Sequence, residues 1–241
     1  MRSVTVTVLV LALASVAADE AAKKAPADLQ GTWKLVSIEV NGTAREFGDN
    51  TPRLVIKGDQ VRYAGEPLAT LKADPATTPK CLDLNFLSPK NSYEGIYAVD
   101  KDTLKVCVSL PTEGAKERPQ EFATKDKDNV RLLVFERDKA GTADGVAGGM
   151  GWLGVQIRKG DGQISVADVF EGSPAKKAGL KKDDVVLKVG GTEVTDDLQG
   201  MVRMIQQAKP GSELAIVVKR DGKEQRITAK VGVLPFQLLL G

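Results

Sequence analysis

The stretch Trp152-Leu153-Gly154-Val155, preceded by Gly151, carries residue types suited to binding an anion. Successive backbone N–H groups in a glycine-containing turn can converge on one negative charge. Val155, Gln156 and Ile157 continue the stretch as a strand, and Asp197 to Ala208 reads as an amphipathic helix. A strand and a helix lying side by side leave a groove along the strand's free edge. That groove suits an extended peptide, which adds as a further strand and ends with its carboxylate in the turn.

Other chemistry is excluded by count. The chain has 241 residues and no histidine, which removes a Ser-His-Asp triad, a Cys-His dyad and His-ligated zinc. Its 2 cysteines are too few for a four-thiolate zinc site. No carboxylate pair stands at a convincing catalytic spacing, so no catalytic residue, metal or cofactor is expected. Lys+Arg at 34 against Asp+Glu at 32 gives no net basic field for nucleic acid, and an aromatic content of 5% gives no stacking platform. Cys81 and Cys107 fall inside two predicted strands. On paired strands in an oxidising compartment they are expected to form a disulfide; the competing reading is two buried free thiols.

The elements around the turn follow in order. Gly172-Ser173-Pro174-Ala175-Lys176-Lys177-Ala178-Gly179-Leu180 reads as a short helix with Ser173 as N-cap, Pro174 at its first position and Gly179 ending it. Asp184 to Gly191, Lys209-Pro210-Gly211, an Ala215–Val218 strand and the hairpin turn Asp221-Gly222 complete the set. Together, residues 150–232 resemble a PDZ domain of the kind attached to bacterial HtrA/Deg-type serine proteases. The resemblance implies that the amides of Leu153, Gly154 and Val155 hold a terminal carboxylate. It implies too that the backbone of Val155, Gln156 and Ile157 pairs with the peptide, Trp152 belonging to the same loop. Leu198, Val202 and Ile205 recur at i, i+4 and i+7 and share a helix face that lines the pocket for the last side chain. The alternative register sets that stripe against the domain's own core, with Met201 and Met204 nearer the groove. Two departures stand out: Met150-Gly151 replaces the basic residue such proteases carry before the loop, and no protease domain precedes the module in this sequence.

Residues 28–137 read differently. Short alternating stretches dominate: 33–40, 54–56, 61–63, 82–86, 95–99, 103–108 and 130–135, separated by turns such as Asn41-Gly42 and Asp100-Lys101-Asp102. That spacing predicts an antiparallel sandwich or barrel. Gly31-Thr32-Trp33 at the head of the first strand, with Lys80-Cys81-Leu82-Asp83-Leu84, Gly95-Ile96-Tyr97 and Arg118-Pro119-Gln120-Glu121-Phe122, resembles a lipocalin-like domain of secreted bacterial proteins. The resemblance implies a β-barrel with Trp33 plugging one end, its interior either filled by side chains or holding one small apolar molecule.

Arg2, the apolar run from Val4 to Leu13 and the small residues Ala14 to Ala18 read as a signal peptide, residues 1–18, cleaved after Ala17 or Ala18. The run is short of the ~20 residues that span a bilayer, so no membrane span is expected after cleavage. Residues 138–149, rich in glycine, read as a flexible linker that lets the two domains move independently. Residues 233–241 form an apolar tail, expected to pack on the second domain's own surface or to be disordered. The whole is expected to be a mainly β, secreted or periplasmic, non-catalytic protein. Its PDZ domain would bind C-terminal or extended segments of other envelope proteins; the alternative is a carrier of a small hydrophobic molecule that docks through that domain.

Overall fold

The computed structural model of the chain describes residues 25–48, 51–111, 117–139 and 149–240. The expected signal peptide and nearly all of the expected linker lie outside the described residues. The first nine strands are β1 (Gly31–Val40), β2 (Thr43–Glu46), β3 (Arg53–Lys57), β4 (Gln60–Tyr63), β5 (Glu66–Asp74), β6 (Lys80–Phe86), β7 (Ser92–Asp100), β8 (Thr103–Ser109) and β9 (Val130–Arg137). From β3 to β9 each strand pairs antiparallel with the next. The first half of β1 pairs with β3, its second half with β2, and its other side with β9. The meander therefore closes into an eight-stranded barrel, with β2 as a hairpin extension. Asn41 (φ 46°) and Gly42 (φ 75°) make that hairpin possible, since a two-residue turn of matching twist needs positive φ at both positions.

Trp33 is fully buried at one end of the barrel. Its indole N–H donates to the Leu29 carbonyl at 2.8 Å, from a 3-10 turn at Ala27–Leu29. The Arg137 guanidinium lies 4.2 Å above the ring and donates to the carbonyls of Gln30 and Asp28. Side chains fill the interior: the remaining cavity is about 40 Å³, wholly apolar, among residues that include Trp33, Leu71, Leu104 and Phe135. Small-molecule sites usually need about 300 Å³ or more. The barrel in this form is a packed core and has no room for the cargo of a carrier.

The expected disulfide is not formed. Both cysteines are free thiols. Cys81 on β6 stands opposite Ile96 on β7, and Ile96 in turn stands opposite Cys107 on β8. A whole strand separates the two cysteines, roughly 10 Å at about 4.8 Å per strand, beyond the reach of a disulfide. Cys107 is buried, and burial pushes its thiol up to about 11.

The second domain comprises β10 (Gly151–Trp152), β11 (Val155–Gly160), β12 (Gln163–Val169), α1 (Pro174–Ala178), β13 (Val185–Val189), β14 (Thr192–Glu193), α2 (Leu198–Gln207), β15 (Glu213–Arg220), β16 (Lys223–Lys230) and β17 (Gly232–Val233). Its main sheet runs β11-β12-β13-β15-β16, with β14 on β13; β10 and β17 pair apart from it. Ile164, Val166, Val189, Met201, Ile216 and Val218 are among its core residues. Asp184 serves this domain's stability: it is buried, accepts two bonds of 2.6 Å from the Arg220 guanidinium and one from the Lys181 N–H.

The tail departs from expectation. After β17 the chain leaves the second domain and enters the barrel, ending in α3 (Gln237–Leu240). Phe236, Leu239 and Leu240 are buried in the barrel's own core cluster, as is Met150. Phe236 meets Tyr63 edge-on at 5.5 Å, Gln237 donates to the Ser88 carbonyl at 3.0 Å, and the buried Arg131 donates to the Leu240 carbonyl at 2.5 Å. Tyr63 ends β4, Ser88 follows β6 and Arg131 is the second residue of β9, so the tail closes the end opposite Trp33. Burying three such side chains contributes about 6 kcal/mol, which roughly offsets the about 5–10 kcal/mol that ordering five residues costs. The second domain keeps its own core cluster, while the segments flanking it, Met150 and the tail, are buried in that of the barrel.

Intact-mass analysis without reductant should give two protonated thiols. At pH 8 an alkylating reagent should label Cys81 in the folded protein well before Cys107, because the neutral buried thiol is a poor nucleophile. Equal labelling rates would contradict the placement of Cys107.

Candidate functional site

The candidate site lies between β11 and α2. Strand β11 is the last in its sheet, paired only with β12. Phe170 N–H donates to the Gly154 carbonyl at 3.0 Å, and Val155 stands opposite Val169. Along an antiparallel strand, backbone groups alternate between the two sides. The Gln156 backbone therefore faces β12, whereas the N–H and C=O groups of Val155 and Ile157 face the free edge. Gln156, expected to pair with a peptide, instead serves the domain's own sheet, and its side chain is exposed.

The turn before β11 is held from three sides. Trp152 pairs with Gly232. The Leu153 carbonyl accepts the N–H of Ala175 at 2.8 Å, which ties the turn to the first residues of α1. Ser173 caps α1 by accepting the Lys176 N–H at 3.1 Å, and Gly179 (φ 88°) ends it. Among the described residues the N–H groups of Leu153 and Gly154 donate to no acceptor of the chain. They remain available at the mouth of the groove. Gly154 has φ 75°, and a methyl there would strike Ser173 and the Trp152 ring. Gly151 lets β10 run against the end of α2, where a methyl would strike the carbonyls of Ile205 and Ala208.

Helix α2 starts at the N-cap Asp197, which accepts the Gly200 N–H at 2.8 Å. Val202 and Ile205 line a pocket of about 110 Å³ together with Trp152, Leu153, Gly154, Val155 and Ile157. Gly151, Gln206 and Leu234 complete the lining. Leu198 is absent from it. Seven residues before Ile205, it lies about 10 Å back along the helix axis, level with an earlier position of any bound strand. Met201 is buried in the core, and Met204 packs partly against it, so neither faces the pocket. The pocket lining carries no ionisable side chain. An anion here would meet neutral N–H donors and no charged side chain. Trp152 and the exposed Phe170 form an aromatic pair beside the mouth, with ring centroids 6.3 Å apart.

Sequence reasoning missed Gln206 and Leu234. Gln206 follows the expected helix face by one residue and was readable as its polar rim. Leu234 had no local signal, because the tail's course depends on the barrel. Among the described residues, no group of three or more His, Cys, Asp or Glu side chains could hold a metal ion, and no helix is long and apolar enough to cross a membrane.

Residues 151–231 match the PDZ domain family, and this part of the chain has the PDZ fold. The chain is 31% identical over 117 residues to a probable CtpA-like serine protease of Staphylococcus haemolyticus, covering 48% of this chain and 21% of that protein. It is 28% identical over 151 residues to the serine protease Do-like HtrA of Bacillus subtilis, covering 61% of this chain and 31% of that protein. The chain thus spans about a fifth to a third of the length of these relatives. Among solved structures, the HtrA3 PDZ domain bound to a phage-derived ligand is 19% identical with a TM-score of 0.31, covering 35% of this chain and 86% of that one.

Gly154→Ala should destabilise the protein by more than Gly162→Ala. Both have positive φ, which costs about 1–2 kcal/mol for alanine, but only Gly154 lacks room for a methyl. Urea unfolding monitored at Trp152 should separate them by at least about 1 kcal/mol. Equal midpoints would show that the turn is looser than the geometry states.

Proposed function

We propose that the chain is a non-catalytic, peptide-binding protein of the periplasm or extracellular space, and that its ligands are C-terminal or extended segments of envelope proteins. The observation that carries this reading is the free edge of β11, with the unused N–H groups of Leu153 and Gly154 at its mouth. A peptide adding antiparallel to β11 bonds to the outward groups of Val155 and Ile157. Its carboxylate meets the Leu153 and Gly154 amides, and its last side chain enters the apolar pocket against Val202 and Ile205. Leu198 lies further along the groove, beside an earlier peptide residue. The absence of histidine from the sequence supports a non-catalytic role, because a Ser-His-Asp centre cannot be assembled. The meander order of the barrel and the Trp33 plug under Arg137 support a lipocalin-like first domain. The apolar amino-terminal run and the periplasmic relatives support export.

Fluorescence polarisation against peptides ending in a branched aliphatic residue tests the reading. Binding is expected in the micromolar range, because ordering a short peptide offsets much of the contact energy. Amidating the peptide's end should weaken it about tenfold, since hydrogen bonds to a charged group contribute about 1.5–3 kcal/mol. Equal affinity for the acid and the amide would refute carboxylate capture.

A further inference from the structure

Leu234 belongs to two places at once. Its side chain lines the groove pocket, and it also packs against the core of the barrel. Its N–H donates to the Met150 carbonyl at 2.8 Å. Met150 immediately precedes the anion-binding turn and is itself buried in the barrel core. Two residues beyond Leu234, Phe236 sits in the barrel against Tyr63, and Arg131 holds the Leu240 carbonyl. One wall of the peptide pocket is therefore fixed from outside the PDZ domain.

From this we infer that the barrel acts as the anchor of the C-terminal segment and, through Leu234, determines which terminal side chain the groove accepts. This rests on the peptide-binding reading above. With the tail seated, Leu234 is pinned between the β10–β17 pair on one side and Phe236 on the other. The pocket then keeps its volume of about 110 Å³ and suits a branched aliphatic side chain. An aromatic terminal side chain enters only if Leu234 retreats, which requires the tail to leave the barrel. By linkage, a peptide with an aromatic end loosens the tail by the same factor that the seated tail weakens that peptide.

The test uses the full chain and the variants Phe236→Ala, Leu240→Ala and Leu234→Ala, with the exposed Leu238→Ala as control. Two peptides, identical except for a terminal Val or Phe, are titrated against each. Wild type and Leu238→Ala should prefer Val by about tenfold. The other three should reduce that preference at least about threefold, chiefly by gaining affinity for Phe. Hydrogen exchange gives a peptide-free reading: the Leu234 N–H should exchange at least about tenfold faster in Phe236→Ala and Leu240→Ala than in wild type. If Phe236→Ala does not fold, Leu240→Ala carries the comparison alone. A shift in Leu234→Ala only, with the tail variants unchanged in selectivity and exchange, would make the pocket local and overturn the barrel's role. Wild type that binds neither peptide would refute the peptide reading and the specificity role with it, while the exchange rates would still decide whether the barrel holds Leu234 in place.

Discussion

Every strand has two edges, and each edge carries backbone groups that must find partners. The two halves of this chain meet that requirement in opposite ways. In the barrel, β1 is met by β3 and β2 on one side and by β9 on the other, so the sheet has no free edge beyond the short β2 hairpin. In the PDZ domain, β11 ends its sheet and keeps one side unpaired. That asymmetry divides the labour. In the proposed reading strand addition falls to β11, whereas the barrel meets the chain's other segments through its two ends.

Those ends are closed in different ways. The Trp33 end is sealed by residues close in sequence, the turn at Ala27–Leu29, with Arg137 laid over the ring. The opposite end receives Phe236, Leu239 and Leu240 from beyond the PDZ domain. Chain on both flanks of that domain, Met150 before it and Leu234 after it, is embedded against the barrel. The groove is thus framed partly by an element that no isolated PDZ domain would contain.

Local chemistry was legible in the sequence and three-dimensional adjacency was not. The cap Ser173, Pro174 and the terminator Gly179 act within a few residues, and all three sit as their types demand. The alternating stretches gave the barrel, but β5 escaped notice because only Ala69 and Leu71 are fully buried in it, and it opens on Glu66-Pro67 and ends on Asp74. Spacing placed Cys81 and Cys107 on strands without revealing that Ile96 would stand between them. Of the expected helix stripe, Val202 and Ile205 line the pocket and Leu198 does not, because a stripe does not say how far along a groove each residue lies. The apolar tail announced that it would be buried, while the place of burial depended on which barrel end remained open.

The hydrogen bond from Arg131 to Leu240 joins residues 109 apart in the chain. A ribosome completes all of β1–β9 and the whole PDZ domain before it supplies the segment that stops the second barrel end. Until then the cup stands open, with Leu54, Val61, Leu71 and Phe135 around a space facing water. Proteolytic clipping behind Pro235 would return the mature protein to that nascent condition. An apolar rim exposed in this way invites association and cleavage, so residues 236–240 shield the barrel interior.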